Sequence, residues 1–102
     1  MAYIVETIVS SPLTSYQDLL EFETAVRDVS DPDVDNIINN SLANGDLENY
    51  TRVASEDATN YYITSVFTWK DEATYLTATN DPSIADNQSY FESNFNFIRN
   101  LP

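Results

Sequence analysis

The chain contains no cysteine and no histidine. The first absence removes disulfides and thiolate nucleophiles. The second removes imidazole as a base and as a ligand, so zinc sites of the usual kinds and Ser-His or Cys-His nucleophilic chemistry are excluded. A single glycine leaves no phosphate-cradling loop of the GxGxxG or GxxxxGK[ST] kind. Positive charge is almost as scarce: Arg27, Arg52, Lys70 and Arg99 stand against 17 acidic side chains, a net charge of -13 and a pI near 4.1. Such a surface repels phosphates, so direct nucleic-acid binding and docking on anionic membranes are not expected, whereas a basic protein partner would be attracted. No stretch approaches the roughly 18 apolar residues of a membrane span. The opening run MAYIVETIVSSP has no basic leader and is interrupted by Glu6. A cytoplasmic protein is expected.

What is present argues for a folded domain. Hydrophobic residues make up 42% of the 102 residues and aromatic ones 13%, too much apolar matter for a disordered chain. A single domain over residues 1–102 is expected. AYIVETIV, residues 2–9, is rich in β-branched and aromatic types and predicts a strand. After Pro12, the spacing of Tyr16, Leu19, Leu20, Val26 and Val29 predicts a helix over 15–29, with Thr14 and Gln17 as its capping box.

DPDVDN, residues 31–36, alternates Asp31, Asp33 and Asp35 as a calcium loop does. An EF-hand loop needs glycine at its sixth position and glutamate at its twelfth, and here those are Asn36 and Leu42. A helix start fits better: Asp31 as N-cap, Pro32 where its missing N–H costs nothing, and acidic groups near the positive end of the dipole. Val34, Ile37, Ile38, Ser41 and Leu42 follow at helical spacing, and Asn44-Gly45 supplies the stop. DPSIADN at 81–87 repeats the device. There Ile84, Gln88, Phe91, Phe95 and Ile98 form a stripe that predicts a last helix, with a strand over 95–100 as its alternative because NFNFIRN also alternates.

Between these helices, LENYTRVAS (47–55) and NYYITSVFTW (60–69) read as a hairpin joined through EDAT, and KDEATYLTATN reads as a short helix. Strand, helical crossover and hairpin make a split β-α-β, an α+β ferredoxin-like arrangement of three or four antiparallel strands with helices on one face. The third strand then lies between the first two. Odd positions of the first and third strands, Tyr3, Val5, Thr7, Val9, Tyr61, Ile63, Ser65, Phe67 and Trp69, are assigned to the helix-covered side.

The even positions carry Ile4, Glu6 and Ile8, with Tyr62, Thr64 and Val66. That face is too apolar for solvent, so a second copy packed sheet to sheet is expected, with Arg52 pairing Glu6. The run YYITSVFTWKDEATYLTATNDP, a strand ending in an aromatic followed by an acidic helix start and an aromatic-alanine helix, resembles the dimeric α+β-barrel superfamily. That superfamily includes antibiotic-biosynthesis-monooxygenase-like proteins. The run also looks like small proteins of marine tailed phages. The resemblance implies a ferredoxin-like fold and a face-to-face homodimer.

Three functions are compatible with these residues. The absences favour an acidic interaction or accessory protein without catalysis, and no catalytic residue, cofactor or metal ligand is assigned. A second reading is a small-molecule binder, or the cofactor-free oxygenase that the resemblance implies, using a space between sheet and helices lined by Tyr61, Phe67, Trp69, Tyr75 and Phe91. A third is an acidic mimic of nucleic acid.

Overall fold

A computed structural model describes residues 1–102 as four antiparallel strands and four helices, in the order β1 (Tyr3–Pro12), α1 (Leu19–Val29), α2 (Pro32–Asn44), β2 (Leu47–Glu56), β3 (Asn60–Trp69), α3 (Glu72–Ala78), α4 (Pro82–Asn94) and β4 (Asn96–Asn100). The strand order is β2-β3-β1-β4, and the helices cover one face. This is the α+β ferredoxin-like fold, with β3 between β1 and β2. No helix is long and apolar enough to cross a membrane.

Local chemistry accounts for most of the boundaries. Asp31 caps α2, its carboxylate accepting the Asp33 N–H at 2.9 Å, and Pro32 occupies the first turn. Asp81 caps α4 in the same way through Ser83 at 2.9 Å, again with proline following. Gly45 closes α2 at φ 85°, a left-handed conformation that glycine adopts without cost.

Two expectations are corrected. The capping box at Thr14 and Gln17 does not form. Leu13–Ser15 is a 3-10 turn, held by the Leu13 N–H donating to the Thr59 carbonyl at 3.0 Å. α1 therefore starts later, at Leu19, where the Asp18 side chain accepts the Glu21 N–H at 2.8 Å as the N-cap. The last helix also stops short. Phe95 adopts extended backbone while its N–H bonds the Phe91 carbonyl at 2.8 Å, and Asn96–Asn100 pairs with β1. Without β4, the outer backbone groups of β1 would line an open sheet edge.

The covered face holds two separate apolar clusters. One joins Val9, Phe22, Val26, Tyr61, Ile63 and Phe95. In it Phe22, with no exposed surface, stacks on Tyr61 at 5.6 Å and meets Phe95 edge-on at 5.7 Å. The other joins Val5, Leu47, Trp69 and Tyr75.

Candidate functional site

The two clusters are separated by one row of the sheet. The register sets Arg52 opposite Ser65, Ser65 opposite Thr7, and Thr7 opposite Arg99, so a line of four polar residues crosses all four strands on the helix-covered side. The flanking rows are apolar: Tyr50, Phe67 and Val5 on one side, Ala54, Ile63, Val9 and Phe97 on the other. Helices α2 and α4 do not settle onto this line. A cavity of about 130 Å³ remains between them and the sheet, with Arg52, Ser65, Thr7 and Arg99 all on its wall. A dry cavity of about 150 Å³ holds one benzene ring, so this one has the capacity of a single aromatic ring.

Ser65, Trp69 and Tyr75 are 9%, 4% and 7% exposed, and all three line the cavity. None of their side-chain polar atoms bonds to another protein group, yet the structure holds no fully enclosed polar atom without a partner. Hence the Trp69 Nε1–H, the Tyr75 hydroxyl and the Ser65 hydroxyl each keep some accessible surface, on residues that line the cavity. The Trp69 and Tyr75 rings meet edge-on at 6.0 Å, and Tyr3 tilts against Tyr75 at 5.1 Å. Burial, with Glu72 and Tyr75 adding to it, pushes the Tyr3 phenol above its ordinary pKa. The far wall is Phe91, stacked on Phe97 at 6.0 Å. Asp31 and Asp35 reach the wall from the start of α2, and the Asn87 side chain on α4 ties the two helices by accepting the Asp31 N–H at 2.7 Å.

Of the residues expected to line such a space, Phe67, Trp69, Tyr75 and Phe91 do so. Tyr61 does not: it belongs to the first cluster, where its hydroxyl donates to the Tyr16 carbonyl at 3.4 Å. Arg52 is also displaced from its expected place beside Glu6. A β-bulge between Leu47 and Asn49 shifts the alternation of β2, turning Tyr50, Arg52 and Ala54 toward the helices and Thr51 and Val53 away. Glu6 instead accepts a hydrogen bond from the Asn100 side chain at 2.9 Å. Thr7, Ser65 and Arg99 line the cavity as well, and the sequence signal for the first two is a hydroxyl residue in the middle of the otherwise apolar covered positions of β1 and β3.

On the opposite face, Val53, Thr64, Ile8 and Ile98 form one cross-strand row, with Thr51, Val66, Glu6 and Asn100 in the next. Ile4, Val53 and Ile98 are each more than half exposed. Tyr62 also lies here and donates to Asp57 in the β2–β3 loop at 2.7 Å.

These features define a ferredoxin-like α+β protein with a donor-lined, ring-sized cavity under its helices. No family model and no curated sequence matches the chain. Among solved structures it is similar to SnoaB, a cofactor-independent oxygenase from Streptomyces nogalater, crystallised as an asparagine-to-alanine mutant. The TM-score is 0.61 and the identity 11%, over 99% of this chain and 90% of that one. The likeness carries the fold along the whole chain and nothing of the chemistry.

Proposed function

We propose that this protein binds a small aromatic molecule in the cavity between sheet and helices. One observation carries the reading: Trp69 and Tyr75 are buried, both line the cavity, and neither the Trp69 N–H nor the Tyr75 O–H has a protein partner. Buried polar groups are ordinarily satisfied within the protein, and a pair left open toward an aromatic-walled space suits a ligand with acceptor oxygens. Trp69 is the single tryptophan of the chain, so its fluorescence reports on the site directly. Titration with phenol and benzyl alcohol is expected to give a saturable change in Trp69 emission and a rise in melting temperature. A linear, non-saturating response to every ring probe would refute the cavity as a site.

The fold likeness to a cofactor-independent oxygenase favours a second reading, in which the bound ring is a substrate for molecular oxygen. Quinol and polyketide substrates that produce neither oxygen uptake nor a thermal shift would dispose of it, and the protein would then be a binding or accessory protein without catalysis.

A homodimer packed through the outer sheet face belongs to the same proposal. The chain carries 17 acidic groups, yet Glu6 is the one charged side chain in the rows that also hold Ile8, Thr64, Val53, Ile98 and Val66. Two copies of so acidic a protein approach with least repulsion through this surface, which carries one charge and exposes Val53 and Ile98. Sedimentation is expected to give a dimer at micromolar concentration and a monomer for Ile8→Asp. A wild-type monomer would overturn the pairing.

A further inference from the structure

We infer that the cavity takes a single-ring aromatic carboxylate, with the ring between Trp69 and Phe91 and the carboxylate on the row formed by Arg52, Ser65, Thr7 and Arg99. The inference rests on the cavity reading above and adds the charge of the ligand to it.

The first support is the placement of positive charge. Lys70 is neutralised by Asp46 at 3.1 Å, the one salt bridge in the structure. Arg52 and Arg99 have no carboxylate within ion-pair distance despite 17 in the chain, and both line the same cavity. Each projects from an edge strand, at opposite ends of one cross-sheet row. The Arg99 guanidinium lies 5.8 Å from the Phe97 ring centre, a cation–π contact that holds it on the helix-covered side of β4.

The second support is the row between them. Ser65 and Thr7 stand opposite each other among apolar covered neighbours, both line the cavity, and neither hydroxyl is hydrogen-bonded to a protein group. Two hydroxyl donors flanked by two guanidinium groups form a set suited to an anionic oxygen. Arginine presents its donors in the planar fork that matches a carboxylate, and a charge-assisted bond is about twice as strong as a neutral one.

Asp31 and Asp35 share the wall and oppose an anion, but they enter from α2, across the cavity from the sheet. The Asp31 carboxylate is occupied by the Asp33 N–H. The volume, about 130 Å³, limits the apolar body to one ring.

The test compares benzoate, its neutral analogue benzamide, and benzyl alcohol against the intact protein by Trp69 fluorescence and calorimetry at about 0.15 M salt, where the Debye length is about 8 Å. Benzoate is expected to bind at least tenfold tighter than benzamide. Both arginines are exposed, so Arg52→Gln and Arg99→Gln should fold, and each should cut that preference to threefold or less. Arg52→Lys and Arg99→Lys, which keep charge but lose the fork, should fall between. Equal binding of benzoate and benzamide, or a preference untouched by both glutamine variants, would overturn the carboxylate assignment and leave the cavity reading standing. Failure of all three rings to bind would defeat both.

Discussion

Ser65→Val is the substitution that separates a site from a packing defect. Ser65 lies at the centre of the sheet, 9% exposed, and its hydroxyl has no partner in the protein. Valine replaces that hydroxyl with two methyl groups directed at the empty space. At about 0.8 kcal/mol per buried carbon group, the apolar gain is roughly 1.5 kcal/mol, and strand propensity adds a few tenths. No hydrogen bond is lost in exchange. With about 130 Å³ adjoining, the added volume displaces no neighbour, so the usual overpacking cost does not arise. The variant should therefore be more stable than the wild type by about 1–2 kcal/mol, which for a domain of this size raises the melting temperature by at least about 4 °C. Calorimetry and urea unfolding at unchanged m-value measure this, and the Trp69 titration of the same variant should show weakened ring binding. A lower melting temperature would refute the reasoning, because it would mean that the hydroxyl is satisfied or that the space is closed.

Asp18→Ala should cost about 1 kcal/mol in urea unfolding as a lost N-cap, whereas Thr14→Ala should stay within about 0.5 kcal/mol; the reverse order would restore the capping box. Asp57 gives the protein its clearest acid sensitivity. The Thr59 N–H, the Tyr62 phenol and the Asn60 N–H, at 2.8, 2.7 and 2.9 Å, hold its carboxyl far below the usual range. The Thr74 side chain and N–H lower Asp71, and the Ser83 N–H lowers Asp81. In each case the folded pKa lies below the unfolded one, so the stabilisation is present above about pH 4 and is lost as pH falls toward the folded values. Melting temperature should thus decline steadily below about pH 4, and Asp57→Ala should flatten that decline. An identical slope in the variant would show that the loop contacts do not hold in solution.

How much of this could be read beforehand depends on the range of the interaction responsible. The caps at Asp31 and Asp81 and the stop at Gly45 are settled within a few residues, and proline or glycine marks each in the sequence. The inward and outward sets of β1 and β3 follow from strict alternation, which no irregularity disturbs. What was missed is non-local. Asn96–Asn100 satisfies a helical stripe and a strand alternation equally well, and the open edge of β1 decides between them. The start of α1 depends on a bond from Leu13 to Thr59, across 46 positions of chain. Arg52 changed faces because one bulge at Leu47–Asn49 inverts every later side chain of β2, a one-residue event that propensity does not register. Of the site, the aromatic wall was legible because its rings are large and periodic. The polar row was not, because it exists only once four strands are laid side by side.

That row also explains why so small a domain has a divided core. Only 14 of its 102 residues are buried, and the apolar ones fall into two clusters rather than one. An apolar residue at Thr7 or Ser65 would fuse the clusters and gain stability at no cost visible in the fold. β1 and β3 also carry Glu6, Ile8, Thr64 and Val66 on their other side, so the floor of the cavity and the bare outer face are the two sides of the same pair of central strands. The covered side holds donors without protein acceptors, and the outer side holds Val53 and Ile98 more than half exposed beside Ile8. Any molecule that binds the folded state at either face stabilises it by mass action. A ligand on the inner side and a second copy on the outer side would each add to the stability of the same two strands, which the polar row leaves below what their length would allow.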